Sequence, residues 1–176
     1  IPVAQGAVIS FERMNLILRL APEDRIAVVQ PGVLNGELQN ALTEYKLFWP
    51  PDPSSASFCS IGGNIACNAG GPRAVKYGAT RDNILALKAV TGTGELVEFG
   101  SATNKNSSGF DLSRLLIGSE GGLALVVEAT LKLTPKPEAR QMLRALFRDV
   151  ESAAHPVARV LHQANTPSML EFMDAT

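Results

Sequence analysis

The sequence predicts an α+β domain of short strands and short helices arranged around one long, weakly charged loop. Three observations carry that expectation. Short β-branched and apolar runs recur along the chain, each closed by a glycine or proline breaker. Helically spaced apolar residues appear between them, around Leu38 and again from Leu112 to Ile117. The stretch Pro50–Gly71 is rich first in proline, then in serine, then in paired glycines, and Asp52 is its one charged side chain. At 176 residues the chain can hold one ordinary domain with a real core and the edge of another.

In chain order, Ala7–Phe11 is a strand by composition, and Glu12–Arg19 a turn with a connecting segment. Ile26–Gln30 is a second strand, stopped by Pro31-Gly32. Asn35 is placed to cap a helix that lines up Leu38, Ala41, Leu42 and Tyr45. In the long loop Pro50, Pro51 and Pro53 fix φ and remove three N–H donors. Gly62-Gly63 opens a helical turn carrying Ile61, Ile65 and Ala66; a helix start there offers free N–H groups and a positive dipole end to a phosphate. On composition alone that reading stands level with a plain surface loop closing on a tight turn.

Further on, Asn83–Val90, the turn Thr91–Gly94 and Leu96–Phe99 read as a hairpin. Thr103–Gly109 is a polar loop in which Lys105 is solvated, and Asp111 caps a short helix. Gly118–Gly122 is a tight loop feeding the long apolar strand Leu123–Leu133, which Pro135 and Pro137 end. Beyond it, Arg140–Phe147 reads as a strand and Asp149–Gln163 as a helix opened by Asp149, with Pro156 delaying or kinking it. Pro167–Asp174 reads as a last strand. The boundary between two units falls at Pro135–Pro137, giving 1–137 and 138–176.

Several function classes are excluded. A net charge of −1 gives no electrostatic case for nucleic acid or anionic membranes, and one Trp with two Tyr makes no stacking platform. Cys59, Cys67, His155 and His162 lack zinc spacing; the thiols read as half-buried and unpaired, the histidines as surface residues, and no metal ligand is assigned. No apolar run reaches spanning length and the N-terminus lacks the basic flank and long apolar core of a signal peptide, so a cytoplasmic location is expected, and the sequon Asn106-Ser107-Ser108 carries little weight. Gly92-Thr93-Gly94 lacks the third glycine of a dinucleotide fingerprint, and no Walker lysine, zinc-protease helix or nucleophile elbow is present. The absence of an initiator Met at Ile1 gives the expectation of a piece of a longer protein. What remains is three glycine-bearing loops, near Gly62, Gly78 and Gly118. They favour holding a large phosphorylated cofactor over acid–base chemistry.

At those loops the sequence resembles the FAD-linked oxidases of the vanillyl-alcohol oxidase superfamily, with the PCMH-type FAD-binding domain. It is most similar to the branch holding the glycolate oxidase D-subunit, D-lactate dehydrogenase and D-2-hydroxyglutarate dehydrogenase. The resemblance rests on Pro51-Asp52-Pro53-Ser54-Ser55, Ser60-Ile61-Gly62-Gly63-Asn64-Ile65-Ala66, Asn68-Ala69-Gly70-Gly71-Pro72 and Lys76-Tyr77-Gly78-Ala79-Thr80. It continues through Gly109–Leu112, Leu116–Gly121 and Glu128–Leu133, in order along almost the whole chain. Gly122 and Ala124 depart from it, standing where the family usually has Thr and often has Gly.

The resemblance implies the second of two FAD subdomains, a mixed sheet with flanking helices, plus the first edge of an α+β cap domain. An N-terminal subdomain would precede the stretch matching Ile1–Val3. The cap beyond Leu170–Asp174 would hold the His-rich metal or substrate site and the catalytic base. It further implies that Pro51, Asp52, Pro53, Ser54, Ser60, Ile61, Gly62 and Gly63 lie along the pyrophosphate and ribityl part of a non-covalent FAD, with Asn64 also at the cofactor. Asn68, Gly70, Gly71, Tyr77 and Gly78 would line the flavin, and Gly118, Glu120, Gly121, Leu125 and Val127 the ribose and adenine. The implied reaction is oxidation of a D-2-hydroxy acid to the 2-oxo acid, with a non-catalytic flavin-binding subunit of an oxidase complex as the rival reading. No catalytic residue is assigned, and the electron acceptor or partner subunit, including any peripheral attachment to the inner membrane, is left open. By itself the chain is expected to bind FAD weakly, to be inactive, and to self-associate through the exposed subdomain face.

Overall fold

A computed structural model of the protein describes residues 6–107 and 109–174. Ile1–Val3, where the resemblance begins, and Ser108 of the sequon lie outside the described residues. The class is α+β as expected: a five-stranded sheet of order β1-β2-β6-β4-β5, a two-stranded ladder β3-β7, and short helices.

The first hairpin is β1 (Ile17–Ala21) with β2 (Ile26–Val29), paired Ala21↔Ile26 through Leu20↔Ala27 and turned by Arg25 at φ 57°. The strand expected at Ala7–Phe11 does not form. That segment carries exposed Val8 and Ile9, and Phe11–Met14 closes instead into a turn under Gly32, whose N–H donates to the Met14 carbonyl at 2.8 Å. A strand needs an edge to pair with, and the edge of β2 is taken by β1, a segment that composition alone reads largely as a connection.

β4 (Ile84–Thr91) and β5 (Leu96–Gly100) form the expected hairpin across Gly92–Gly94, and β6 (Ala124–Lys132) enters between β2 and β4. The sheet was expected to be mixed; every ladder in it is antiparallel, because both sequential pairs are hairpins and β6 runs opposite to both its neighbours. β2 and β4 are therefore parallel but never adjacent. Their connection, residues 30–83, covers one face of the sheet with α1 (Asn35–Ala41), α2 (Ile61–Cys67) and α3 (Ala74–Tyr77). Val33, Leu38, Leu42, Trp49, Ile61 and Ile65 from this connection pack on Ala27, Val29, Leu87, Ala89, Ala129 and Leu131 of the strands. On the strands' other side chains, Lys88 bridges Glu98 and Glu128, its register partners on both neighbours, at 3.4 and 3.1 Å.

Asn35 does not cap α1. Leu34 holds that position, and Asn35, 1% exposed, donates from Nδ2 to the Pro51 carbonyl at 3.1 Å, pinning the start of the long loop. Tyr45 falls beyond the end of the helix and is exposed. The small ladder of β3 (Leu47–Phe48) with β7 (Thr134–Pro135) ties the same loop to the chain after β6. α4 (Leu112–Leu116) is capped by Asp111 as expected.

After β7 the expectations fail twice. Arg140–Phe147 and Pro167–Asp174 are irregular and join no ladder, so neither is a strand. α5 (Val150–Leu161) begins on its Asp149 cap without delay and runs through Pro156. Every buried hydrophobic residue among those described lies between Ala21 and Leu133.

Candidate cofactor-binding site

α2 starts where the glycine pair predicted a helical turn, with Ser60 as its cap: the Gly63 N–H donates to Ser60 Oγ at 3.0 Å. The expectation of free donors at this helix start is overturned for the first-turn amides of Ile61, Gly62 and Gly63. The Ile61 N–H donates to the Val33 carbonyl and the Gly62 N–H to the Pro31 carbonyl, each at 2.8 Å, so the first turn is satisfied within the protein. Gly62 is glycine for packing, since a Cβ there would come 2.6 Å from Pro31 Cβ. Gly71 and Gly78 are likewise explained from inside. A Cβ on Gly71 would meet the Asp52 carbonyl oxygen at 2.3 Å, and one on Gly78 (φ 76°) the Asp82 carboxylate at 2.5 Å.

At the other end of α2, Asn68 turns into the left-handed region at φ 50°, and its Oδ1 accepts the Arg81 N–H at 2.9 Å. The Gly118 and Glu120 N–H groups reach back to the Ile65 and Ala66 carbonyls at 2.9 and 3.0 Å. These bonds dock the 118–122 loop on the helix. Between the two lies a groove of about 310 Å³. Ser60, Gly62, Gly63 and Ala66 form one wall; Ser119, Glu120, Gly121 and Leu125 form the other; Pro31, Ile65, Leu116 and Val126 give an apolar floor. Six residues expected at the cofactor thus meet in one place: Ser60, Gly62, Gly63, Glu120, Gly121 and Leu125.

The remaining expected residues are distributed around it. Ile61 and Asn64 are buried in α2, with Asn64 Nδ2 having no hydrogen-bond partner among the described residues. Val127 is the extra residue of a bulge between Glu128 and Val126. Pro51 is buried, Pro53 accepts the Ala56 N–H at 2.8 Å, and Ser54 is exposed. Asp52 lies on a second, wider cleft of about 620 Å³, beside Arg73, Phe48, Asn35 and Lys136. Arg73 meets its carboxylate through Nε and through the backbone N–H, both at 3.1 Å, and lies 5.5 Å above the Phe48 ring. Burial raises the Asp52 carboxyl above its ordinary value and outweighs the Arg73 bonds, which pull the other way. Tyr77 packs edge-on against Phe48, ring centres 5.3 Å apart. Arg73, Arg81, Pro31 and Phe11 were missed at the sequence level. No local signal marks them, because their partners lie on distant segments. Among the described residues no group of His, Cys, Asp and Glu could hold a metal, and both cysteines are free.

A family model described as an FAD binding domain matches residues 2–100. The chain is 43% identical over 173 residues to the glycolate oxidase subunit GlcD of Bacillus subtilis, covering 98% of this chain and 37% of that protein. It is 40% identical over 174 residues to the D-lactate dehydrogenase of Anaerostipes hadrus (99% and 36%). It is 51% identical over 140 residues to the D-2-hydroxyglutarate dehydrogenase of Xanthomonas citri pv. viticola (79% and 30%). The chain therefore spans about a third of the length of these relatives. Among solved structures, alkyldihydroxyacetonephosphate synthase superposes with a TM-score of 0.63 at 30% identity, covering 73% of this chain and 23% of that one.

The residues present fit FAD. The groove has an apolar floor for a ring system, and a polar lip where the N–H groups of Ser60 and Gly121 have no partner among the described residues. Gly70 leaves the backbone open, the nearest atom to a Cβ being Ala74 Cβ at 3.7 Å, whereas a Cβ on Gly63 would press on Ser60 Oγ at 3.3 Å. Unsatisfied backbone donors beside glycine suit phosphate and carbonyl oxygens without a cation.

Proposed function

The chain belongs to the FAD-binding domain family, and from that premise we propose that it is the cofactor-holding part of a flavoprotein that oxidises a D-2-hydroxy acid to the 2-oxo acid. The observation that carries this reading is the groove between α2 and the 118–122 loop, which gathers six residues that the family resemblance picks out along the sequence. The substrate class is supported by relatives named for glycolate, D-lactate and D-2-hydroxyglutarate, which share a carboxylate beside a carbinol carbon.

In this reading Ser60, Gly63 and the Pro51–Ser54 loop follow the pyrophosphate and ribityl chain. Asn68, Gly70, Gly71, Tyr77 and Gly78 border the flavin ring, and Gly118, Glu120, Gly121, Leu125 and Val127 the ribose and adenine. FAD, when bound, supplies the two-electron acceptor for the hydride on the substrate α-carbon. The chain's own contribution is positional: backbone donors orient the cofactor, and the apolar floor of Ile65, Leu116 and Val126 excludes water from it. Residues 1–137 form the cofactor unit, and 138–176 begin a second unit that completes the substrate site. FAD is held without a covalent bond in this reading, since neither His155 nor His162 is among the residues that line the groove.

Visible absorption of the full-length protein that contains this chain, then anaerobic addition of D-lactate, glycolate and D-2-hydroxyglutarate, tests the proposal. A flavin band bleached by one of the three is the expected result. A flavin band that none of them bleaches favours the non-catalytic flavin-binding subunit. A protein that takes up no added FAD overturns the reading.

A further inference from the structure

Arg81 lies on the 3-10 helix Thr80–Asn83, behind the groove rather than in it. Among the described residues it makes no ion pair. Its Nη2 donates to the Ile117 carbonyl at 3.1 Å, its backbone N–H donates to Asn68 Oδ1 at 2.9 Å, and its Nε is buried without a partner. A half-buried guanidinium with no acidic partner is costly to keep, and here its one side-chain bond goes to the peptide that leads into the groove wall.

That wall needs holding. Gly118, Glu120 and Gly121 have φ of 88°, 52° and 80°, three left-handed residues within four, and Glu120 has no glycine's freedom there. The wall's ties to α2 are the Gly118 and Glu120 amides, which bond the carbonyls of Ile65 and Ala66 in the helix's last turn. Gly118 also lies flat against the pair that would steady it: a Cβ on it would be 3.3 Å from Asn68 Cβ and 3.6 Å from Arg81 Nη2.

We infer that Arg81 is a positioning residue for the cofactor groove: with Asn68 it clamps the Ile117 carbonyl to the end of α2 and so sets the spacing between the helix wall and the 118–121 wall. The geometry of the clamp stands by itself; its effect on a ligand rests on the FAD reading above.

The test compares Arg81→Met, which removes the donor and keeps apolar bulk, with Arg81→Lys, which keeps a cationic donor. Amide hydrogen exchange of the full chain follows Gly118 and Glu120, with β4 and β6 as the internal reference. In R81M the two loop amides are expected to exchange about tenfold faster while the sheet keeps its rates. Added FAD, followed by flavin fluorescence, is expected to bind about tenfold more weakly. R81K is expected to recover most of both effects. Loop amides that keep their rates in folded R81M overturn the inference, as does faster loop exchange with unchanged FAD affinity. If R81M does not fold, Arg81→Gln, which keeps a neutral donor, is compared with R81K by the same two readouts. If the full-length protein binds no FAD, the proposed function falls, and the exchange comparison still decides whether Arg81 holds the loop.

Discussion

At Gly71 the backbone takes φ 150°, and a Cβ would come 2.3 Å from the Asp52 carbonyl oxygen and 2.4 Å from Asp52 Oδ1. Asp52 cannot retreat easily, being tied twice to Arg73. Gly71→Ala should therefore destabilise the protein by about 3 kcal/mol, combining strain at a disfavoured φ with overpacking against backbone. Gly92, in the β4–β5 turn, has nothing within 4 Å of where a Cβ would stand, so Gly92→Ala should change stability by less than about 1 kcal/mol. Urea unfolding of the two variants beside the parent checks both; equal stability of the two would remove the steric argument. The pair also marks a limit of sequence reading at this scale. Gly62, Gly71 and Gly78 were expected to clear space for a ligand, and the space they clear is filled by Pro31, Asp52 and Asp82. A sequence shows that a Cβ is absent; it does not show what occupies the room.

Elements whose logic is local were legible. The β4–β5 hairpin, the Ser60-capped α2, the Asp111-capped α4 and the Asp149-capped α5 all follow from residues within a few positions of each other. The β3–β7 ladder, which depends on a distant partner, was not, nor were the local β1–β2 hairpin in place of a strand at Ala7–Phe11 and the absent strands at Arg140–Phe147 and Pro167–Asp174. The cap on α4 has a consequence for pH. The Ser113 hydroxyl first, and then the Arg114 N–H and guanidinium, hold the Asp111 carboxyl below its ordinary value against some desolvation. An acid whose folded value is depressed stabilises the fold above its unfolded value, and that stabilisation is lost as pH falls through the folded one. Asp111→Ala should therefore cost about 1 kcal/mol near neutral pH, as an N-cap deletion does. The gap from the parent should close as pH drops below the ordinary carboxylate range. A gap that stays constant down to the acid limit would show that the carboxylate is not the active part of the cap.

Over the whole molecule, the groove is made where two sequence-distant pieces meet: the 30–83 connection over the sheet, and the 117–122 loop before β6. That meeting is fixed by the sheet order, in which β6 returns between β2 and β4. Everything that builds it lies before Leu133, since the buried cluster runs from Ala27 to Leu133. Residues 139–148 are exposed and carry no ladder, and Met142, Leu143 and Leu146 are 90%, 97% and 82% exposed. Backbone held by so few bonds opens at little free-energy cost, which is where a protease cuts first. Trypsin should therefore cleave first after Arg140, Arg144 or Arg148, while Lys136 is shielded by the following Pro137. The product ending there should keep the urea midpoint of the intact chain, because the removed part gives nothing to the core cluster. Mass spectrometry of the first products and denaturation of the purified core read both parts. First cuts within 30–83, or a core that unfolds once 141–176 is released, would mean that the second unit supports the first and that the boundary near Pro137 is wrongly placed.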